Sequence, residues 1–159
     1  MFQYDRKLYD RVGRDSTKTV TASGRHHDAF TGRLVVLIDS QSASASEIFA
    51  RVIQLEQRGF VVGDRSSGMV MERFYDHETF ADSQVVYGAN ITGADLHMTD
   101  GKSLEHVGVQ PDIVLLPTAQ DLASNRDPVL AKAAAMAGVK LTPEEAGTAI
   151  PYEEQPESE

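Results

Sequence analysis

Residues Arg33–Arg58, RLVVLIDSQSASASEIFARVIQLEQR, decide how this chain folds. The stretch opens on a continuous apolar run, Leu34-Val35-Val36-Leu37-Ile38. A run this short, rich in β-branched residues and polar at both ends, predicts a strand buried on both faces. Asp39-Ser40-Gln41 then turns the chain. Beyond Ser42-Ala43-Ser44-Ala45-Ser46-Glu47 the apolar residues fall at Ile48, Phe49, Val52, Ile53 and Leu55, which is helical spacing. Gly59, after Arg58, is expected to end that helix in a left-handed conformation. Phe60-Val61-Val62 predicts the next strand. The unit is strand, serine-rich turn, helix, strand.

Such a unit presents a serine at a helix entrance. The first N–H groups of a helix have no internal partner, and the helix dipole adds partial positive charge there. A negative oxygen formed at that point is stabilised. Small Ala43 and Ala45 leave room for a substrate backbone to approach. The competing reading of the same serines is structural, because serine before a helix is a common N-cap.

Composition narrows the function classes. The chain has 159 residues, a size suited to one domain, with 41% hydrophobic content and a formal net charge of −9. That acidity argues against nucleic acid, whose phosphates demand a basic surface. Much of it is local: Glu144, Glu145, Glu153, Glu154, Glu157 and Glu159 form an acidic C-terminal tail over residues 142–159. The sequence holds no cysteine, so no disulfide framework and no thiolate chemistry. No apolar run is long enough to span a bilayer. Met1–Lys7 lacks the apolar core of a signal peptide.

Outward from the central unit the signals are shorter. Residues 1–32 read as an irregular N-terminal segment. Within it Phe2–Val12 is open between strand and helix, Asp15–Val20 reads as a strand and Ser23–Asp28 as a loop. His26 and His27 are adjacent and would point apart on a strand, a poor arrangement for joint metal binding. Asp64–Gly68 is a turn, Met69–Tyr75 a strand and Asp76–Ser83 a polar loop. Gln84–Ile91 is a strand with a bend at Gly88, and Asp95–Met98 a separate short strand. His77 and His97 read as half-buried strand residues. Thr99–Lys102 is a turn, and Pro111 fixes an extended entry into Ile113–Leu116. Asp121–Ala123 is one helical turn. Asp127 caps a helix with Pro128 at its first position, Val129–Ala137 as its body and Gly138 as its stop. Thr142–Glu145 starts another turn, and disorder is expected from Pro151.

Three pieces of this sequence, in order and at the right spacing, resemble the C-terminal processing (tail-specific) serine proteases, in their tricorn-like branch. Leu34–Glu47 is similar to that family's strand and Ser-Ala-Ser-Ala-Ser-Glu nucleophile turn. Val61–Gly68 resembles its Gly-acid-x-Thr-x-Gly turn, and Leu104–Asp112 its late Glu-x-x-Gly-x-x-Pro-Asp element. The resemblance covers residues 33–116 and implies an α/β fold, an incomplete ClpP/crotonase-like spiral of β-β-α units. Residues 33–141 would then be the C-terminal half of a catalytic domain. Carried over residue by residue, Ser44 takes the nucleophile position, Ala45 N–H one oxyanion donor, and Glu105 the late glutamate that orients the machinery. Ser42 and Ser46 would cap and form the turn. The implied chemistry is attack of Ser44 on a peptide carbonyl, an acyl-enzyme and hydrolysis, with neither cofactor nor metal.

Two departures qualify this. Where better-known members carry the lysine base after the Gly68 turn, this chain has Met69, whose thioether does not take up a serine proton at neutral pH. Lys102 and Lys140 do not fit the pattern, and His106 occupies a different position in the motif. The family's earlier Asp-Leu-Arg-x-Asn-x-Gly-Gly-like loop, which supplies the other oxyanion donor, is also absent from residues 1–33. The expected partners are therefore a protein or peptide substrate and the missing N-terminal half of the protease, with homo-oligomerisation left open. The family resemblance suggests an extracytoplasmic setting. Two other readings stand beside it. One is a non-catalytic peptide-binding module of degenerate protease fold. The other is a crotonase-like acyl-CoA enzyme, against which the acidic balance speaks.

Overall fold

The structure is a computed structural model that describes residues 1–80 and 85–149, by backbone alone at 75–80 and 85–87. Its elements are β1 (Arg6–Gly13), β2 (Thr17–Ala22), β3 (Val35–Ile38), α1 (Ala45–Leu55), β4 (Phe60–Gly63), β5 (Glu72–Phe80), β6 (Val85–Met98), β7 (Ile113–Val114), α2 (Ala119–Ala123), α3 (Pro128–Ala137) and α4 (Pro143–Ala149). The architecture is mixed α/β with two sheets. One is antiparallel in the order β2-β1-β6-β5, the other parallel in the order β3-β4-β7.

Helix α1 joins β3 to β4 and fills the space between the sheets. Its apolar stripe puts Ala50 and Val52 into one core with Ile38 and Val61 of the parallel sheet and Leu96 and Met98 of the antiparallel one. Ile53 is wholly buried. Burying a side chain of that size stabilises by roughly 2–3 kcal/mol relative to exposure. Phe49 lies off this stripe and remains 43% exposed. Polar ties fix the helix in place. The Arg51 guanidinium bonds Asp100 at 2.7 Å, and the Gln54 amide donates to the Gln110 carbonyl and to Asp112. Asp112 accepts the Val61 N–H at 2.8 Å and returns its own N–H to the Val61 carbonyl, which latches β7 onto β4.

Several expectations change at this level. Strand β3 is not buried on both faces, because it is the edge strand of a three-stranded sheet and Leu37 is 41% exposed. Helix α1 does not end on a left-handed Gly59. Gln57 takes that conformation at φ 49, and Gly59 is instead a close approach, where a Cβ would lie 2.3 Å from the Leu34 carbonyl oxygen. Of Phe2–Val12, open between strand and helix, the part from Arg6 belongs to β1, which pairs with both β2 and β6. Asp76–Phe80, read as loop, continue β5, while Met69–Met71 precede it. Residues 85–98 form one strand through Gly88 and Gly93 rather than two. The parallel edge ends at Val114 rather than Leu116.

Other expectations hold. Asp127 caps α3 by accepting the Leu130 N–H at 2.8 Å, and Gly138 closes it at φ 94. His26 and His27 sit exposed in a short 3-10 turn, and His97 is half-buried on β6. The end of the polar loop at residues 81–83, the start of the next strand at Gln84, the His77 side chain and the tail beyond Ala149 lie outside the described residues. Among those described, no helix is long and apolar enough to cross a membrane.

Candidate active site

The turn between β3 and α1 is built from its own side chains. The Asp39 carboxylate accepts the Gln41 N–H at 3.0 Å, the Ser42 N–H at 2.9 Å and the Ser42 hydroxyl at 3.0 Å. Ser46 Oγ donates back to the Ala43 carbonyl at 2.7 Å. Ser42 and Ser46 are thus committed to shaping the turn. Ser44 differs: it is exposed, sits at the N-cap of α1 with φ 58 and ψ −120 in a capping box with Glu47, and its hydroxyl donates no hydrogen bond among the described residues. A left-handed φ is uncommon for a residue with a Cβ, and it persists only where surrounding contacts hold it.

Those contacts centre on Glu47, whose side chain is fully buried. Its Oε2 accepts the N–H groups of Ser44 and Met69, each at 3.0 Å. Its Oε1 accepts the Ser66 hydroxyl at 2.6 Å and the Gly68 N–H at 2.7 Å. Four donors on two oxygens fill the acceptor capacity of a carboxylate, the condition under which a buried one is tolerated. The Ser44 N–H also donates to the Met69 carbonyl at 3.0 Å. The Glu47 N–H donates to the Ser44 carbonyl. The Ala45 N–H has no acceptor among the described residues and stays available at the helix mouth.

The same hub draws together the three sequence elements read separately above. Ser67 N–H donates to the Ser42 carbonyl at 2.9 Å. Ser66 pairs with Val109 in both directions, its hydroxyl accepting the Val109 N–H at 2.6 Å and its N–H donating to the Val109 carbonyl at 3.1 Å. His106 N–H donates to the Gly68 carbonyl at 2.8 Å. Gly108 makes this contact sterically feasible: it has φ 71, and a Cβ there would lie 2.5 Å from the Ser66 carbonyl oxygen. Gly108→Ala is therefore expected to destabilise the fold by about 2–4 kcal/mol. Urea unfolding checks this, as a lower midpoint with unchanged slope.

Glu105 lies near this centre but is aimed at backbone. Its Oε2 accepts the N–H groups of Val70 at 2.7 Å and Met71 at 3.0 Å, so it fixes the strand that follows Met69. The structure does not bring it into hydrogen-bond contact with Ser44. The Val70 N–H chiefly, helped by the Met71 N–H and opposed by burial, holds its carboxyl below the usual glutamate range. A folded pKa below the unfolded one stabilises above about pH 4.3, the value of a free glutamate, and that contribution is lost as pH falls through the folded value. Glu105→Gln should accordingly lose less stability than the parent between about pH 5 and pH 3 in acid titrations followed by circular dichroism. Behind Glu105, the Ser103 hydroxyl accepts the Glu105 N–H at 3.1 Å and donates to Asp95 at 2.6 Å, while His97 Nε2 lies 3.0 Å from the other Asp95 oxygen. His106 Nε2 lies 3.9 Å from the other Glu105 oxygen, with its side chain 90% exposed.

Ser44 faces an open groove of about 510 Å³ between the mouth of α1 and the antiparallel sheet, lined among others by Tyr9, Arg11, Ile48, Met69 and Met71. Met69 is 51% exposed there. Neither histidine nor lysine lines this groove among the described residues. A second crevice of similar volume lies at the carboxyl ends of β3 and β4, against Ser42, Asp64 and Arg126; it shares the turn but not Ser44. The sequence reading passed over Glu47 as a hub. Its one local signal is the Ser44-x-x-Glu47 spacing of a capping box. Its other partners, Ser66, Gly68 and Met69, are about twenty residues away, beyond any local pattern.

Residues 1–115 match the description of peptidase family S41. The chain is 29% identical over 146 residues to tricorn protease homolog 2 of Streptomyces coelicolor, covering 92% of this chain and 12% of that protein. It is 32% identical over 97 residues to the chloroplastic C-terminal processing peptidase of Tetradesmus obliquus, covering 61% of this chain and 20% of that one. Among solved structures it resembles the photosystem II D1 C-terminal processing protease at a TM-score of 0.57 and 27% identity, over 72% of this chain and 28% of the other. The chain thus spans between about an eighth and somewhat over a quarter of the length of these relatives. The family match runs through every element that shapes the Ser44 turn, and the chain belongs to peptidase family S41.

Proposed function

We propose that the chain is the C-terminal part of the catalytic unit of a serine-type endopeptidase, with Ser44 as its nucleophile. The observation that carries this is the Ser44 hydroxyl itself, exposed, donating no hydrogen bond among the described residues, held at φ 58 and open to a groove at a helix mouth. In the proposed reaction Ser44 Oγ attacks the peptide carbonyl carbon while its proton passes to a base. The carbonyl oxygen, now negative, takes a hydrogen bond from Ala45 N–H. The C–N bond then breaks, the amine leaves protonated, and water hydrolyses the resulting ester. Glu105 acts as a positioning residue through Val70 and Met71. The base and a second oxyanion donor come from outside residues 33–141, in the portion of the relatives that this chain does not span.

The open edge of β3 supports a partner on that side. The Phe60 N–H bonds the Leu34 carbonyl and the Asp64 N–H bonds the Ile38 carbonyl, so the alternate peptide groups at Val35 and Leu37 face away from β4. An apolar edge without a charge, proline or bulge is a template for another strand. We read the body as an incomplete ClpP/crotonase-like spiral that such a strand extends, with residues 1–32 as its N-terminal segment and residues 142–159 as an acidic tail. An extracytoplasmic setting follows from the family resemblance alone. The test is casein hydrolysis by the longer polypeptide containing this chain. Ser44→Ala is expected to lower the rate by at least about 1,000-fold; an unchanged rate would remove Ser44 from the chemistry.

A second reading, a peptide-binding module without catalysis, draws on Met69 standing where a base is expected and on a groove that neither histidine nor lysine lines among the described residues. It requires peptide binding with no turnover in the longer polypeptide as well.

A further inference from the structure

The five methionines carry all the sulfur in this chain, which holds no cysteine. A peroxide meeting the folded protein therefore finds thioethers and no thiol. Access separates the five. Met98 is 2% exposed in the core, and Met1, Met71 and Met136 are half-buried, whereas Met69 is 51% exposed. Met69 also lines the groove that Ser44 faces. Its backbone is held on both sides: its N–H donates to Glu47 and its carbonyl accepts the Ser44 N–H, each at 3.0 Å. The side chain is thus free to change its chemistry on a backbone that stays clamped. Next to Ser44 the turn leaves one donor open, the Ala45 N–H, which has no acceptor among the described residues. Ala45 lines the same groove as Met69.

We propose that Met69 is an oxidative modification site, and that its sulfoxide switches the groove off by setting a hydrogen-bond acceptor against the Ala45 N–H. The second half rests on the groove being the place where Ser44 reacts. In the step, the thioether sulfur attacks one oxygen of a hydroperoxide with its lone pair, the O–O bond breaks and an S–O bond forms. Sulfur loses two electrons, the peroxide gains them, and water or an alcohol leaves. A thioether sulfur is a weak acceptor, whereas the sulfoxide is polar and carries an oxygen that accepts well. Once that oxygen holds the Ala45 N–H, the amide is no longer free for an oxyanion. Removing one such donor costs about 100- to 1,000-fold in rate. The change is reversible, because methionine sulfoxide reductases return the thioether with a dithiol as the reductant.

The test treats the folded 159-residue chain with millimolar hydrogen peroxide, quenches with catalase and maps sulfoxides by peptide mass spectrometry. Met69 is expected to oxidise about 10-fold or more faster than Met98, and that ratio should fall toward one in urea, where exposure no longer differs. In proton–nitrogen NMR spectra of the same chain the Ala45 amide proton should move downfield on oxidation, and in Met69→Leu it should stay in place. In the longer polypeptide, peroxide is expected to slow fluorophosphonate labelling of Ser44 by about 10-fold or more. Labelling of Met69→Leu should be indifferent to peroxide, and the two methionine sulfoxide reductases with dithiothreitol should restore the parent. Met69 oxidising no faster than Met98, an Ala45 amide that ignores oxidation, unchanged labelling of the oxidised parent, or slowing that persists in Met69→Leu overturns the proposal. A polypeptide that takes no label even before peroxide, with Met69 oxidised and the Ala45 amide shifted, removes the peptidase reading and leaves the modification standing.

Discussion

Glu47→Ala is expected to destabilise the chain by about 3–5 kcal/mol, a large share of the stability of a domain this size. The substitution removes four accepting positions at once. It leaves the Gly68 and Met69 N–H groups and the Ser66 hydroxyl facing the space the carboxylate filled. Each unsatisfied buried donor costs about 1–3 kcal/mol. Ser44 N–H retains the Met69 carbonyl, so the turn is loosened rather than erased. Glu47→Gln keeps the volume and one accepting oxygen but sets an NH2 group against two N–H donors, and about 2 kcal/mol is expected. Urea unfolding of the three proteins gives the ranking. An alanine variant within about 1 kcal/mol of the parent would mean that the buried carboxylate is not what holds the serine in its left-handed conformation.

The second large effect concerns rate. On the proposed mechanism the described residues supply Ser44 and one oxyanion donor, Ala45 N–H. Among the described residues neither histidine nor lysine lines the groove, and Glu72, which does, is paired with Arg11. Loss of a single oxyanion donor costs about 3–4 kcal/mol of transition-state stabilisation, and a positioned base contributes about 100- to 10,000-fold. Even with partial overlap the deficit is on the order of 5 kcal/mol or more, over three decades of rate. Hydrolysis of an unstructured peptide by the purified 159-residue chain should therefore run at least about 1,000-fold below that of the longer polypeptide. Clear turnover by the isolated chain, abolished by Ser44→Ala, would mean that a base exists within these residues after all.

The parts legible in the sequence are those with a strong local signal. The run Leu34–Ile38, the helical spacing from Ile48 to Leu55, and Asp127-Pro128 followed by Gly138 each specify an element by themselves, and each element is present. What failed has a physical reason. Asp76–Phe80 read as loop because that stretch is polar and carries no alternation, yet its backbone pairs with β6 along its whole length. The two-sided burial expected of β3 assumes neighbours on both edges, and among the described residues β3 pairs with β4 alone. At the site, Ser44 could be singled out because helix entrances are visible in sequence. Glu47 and Ser66 could not, because their work depends on which loops meet, which residue-by-residue periodicity does not encode. Glu105 was picked out by motif position, and the structure gives it a definite task, holding Val70 and Met71, rather than contact with the nucleophile.

The most direct measurement is covalent. A fluorophosphonate probe reacts with a serine hydroxyl only where the oxygen is accessible, its proton has somewhere to go and the developing charge is stabilised. Treating the longer polypeptide with such a probe and mapping the adduct by peptide mass spectrometry asks whether Ser44 Oγ is that oxygen. A single adduct on the peptide containing Ser44, absent in Ser44→Ala and after denaturation, is the expected result. An adduct on another serine, or a folded protein that takes no label at all, would contradict it.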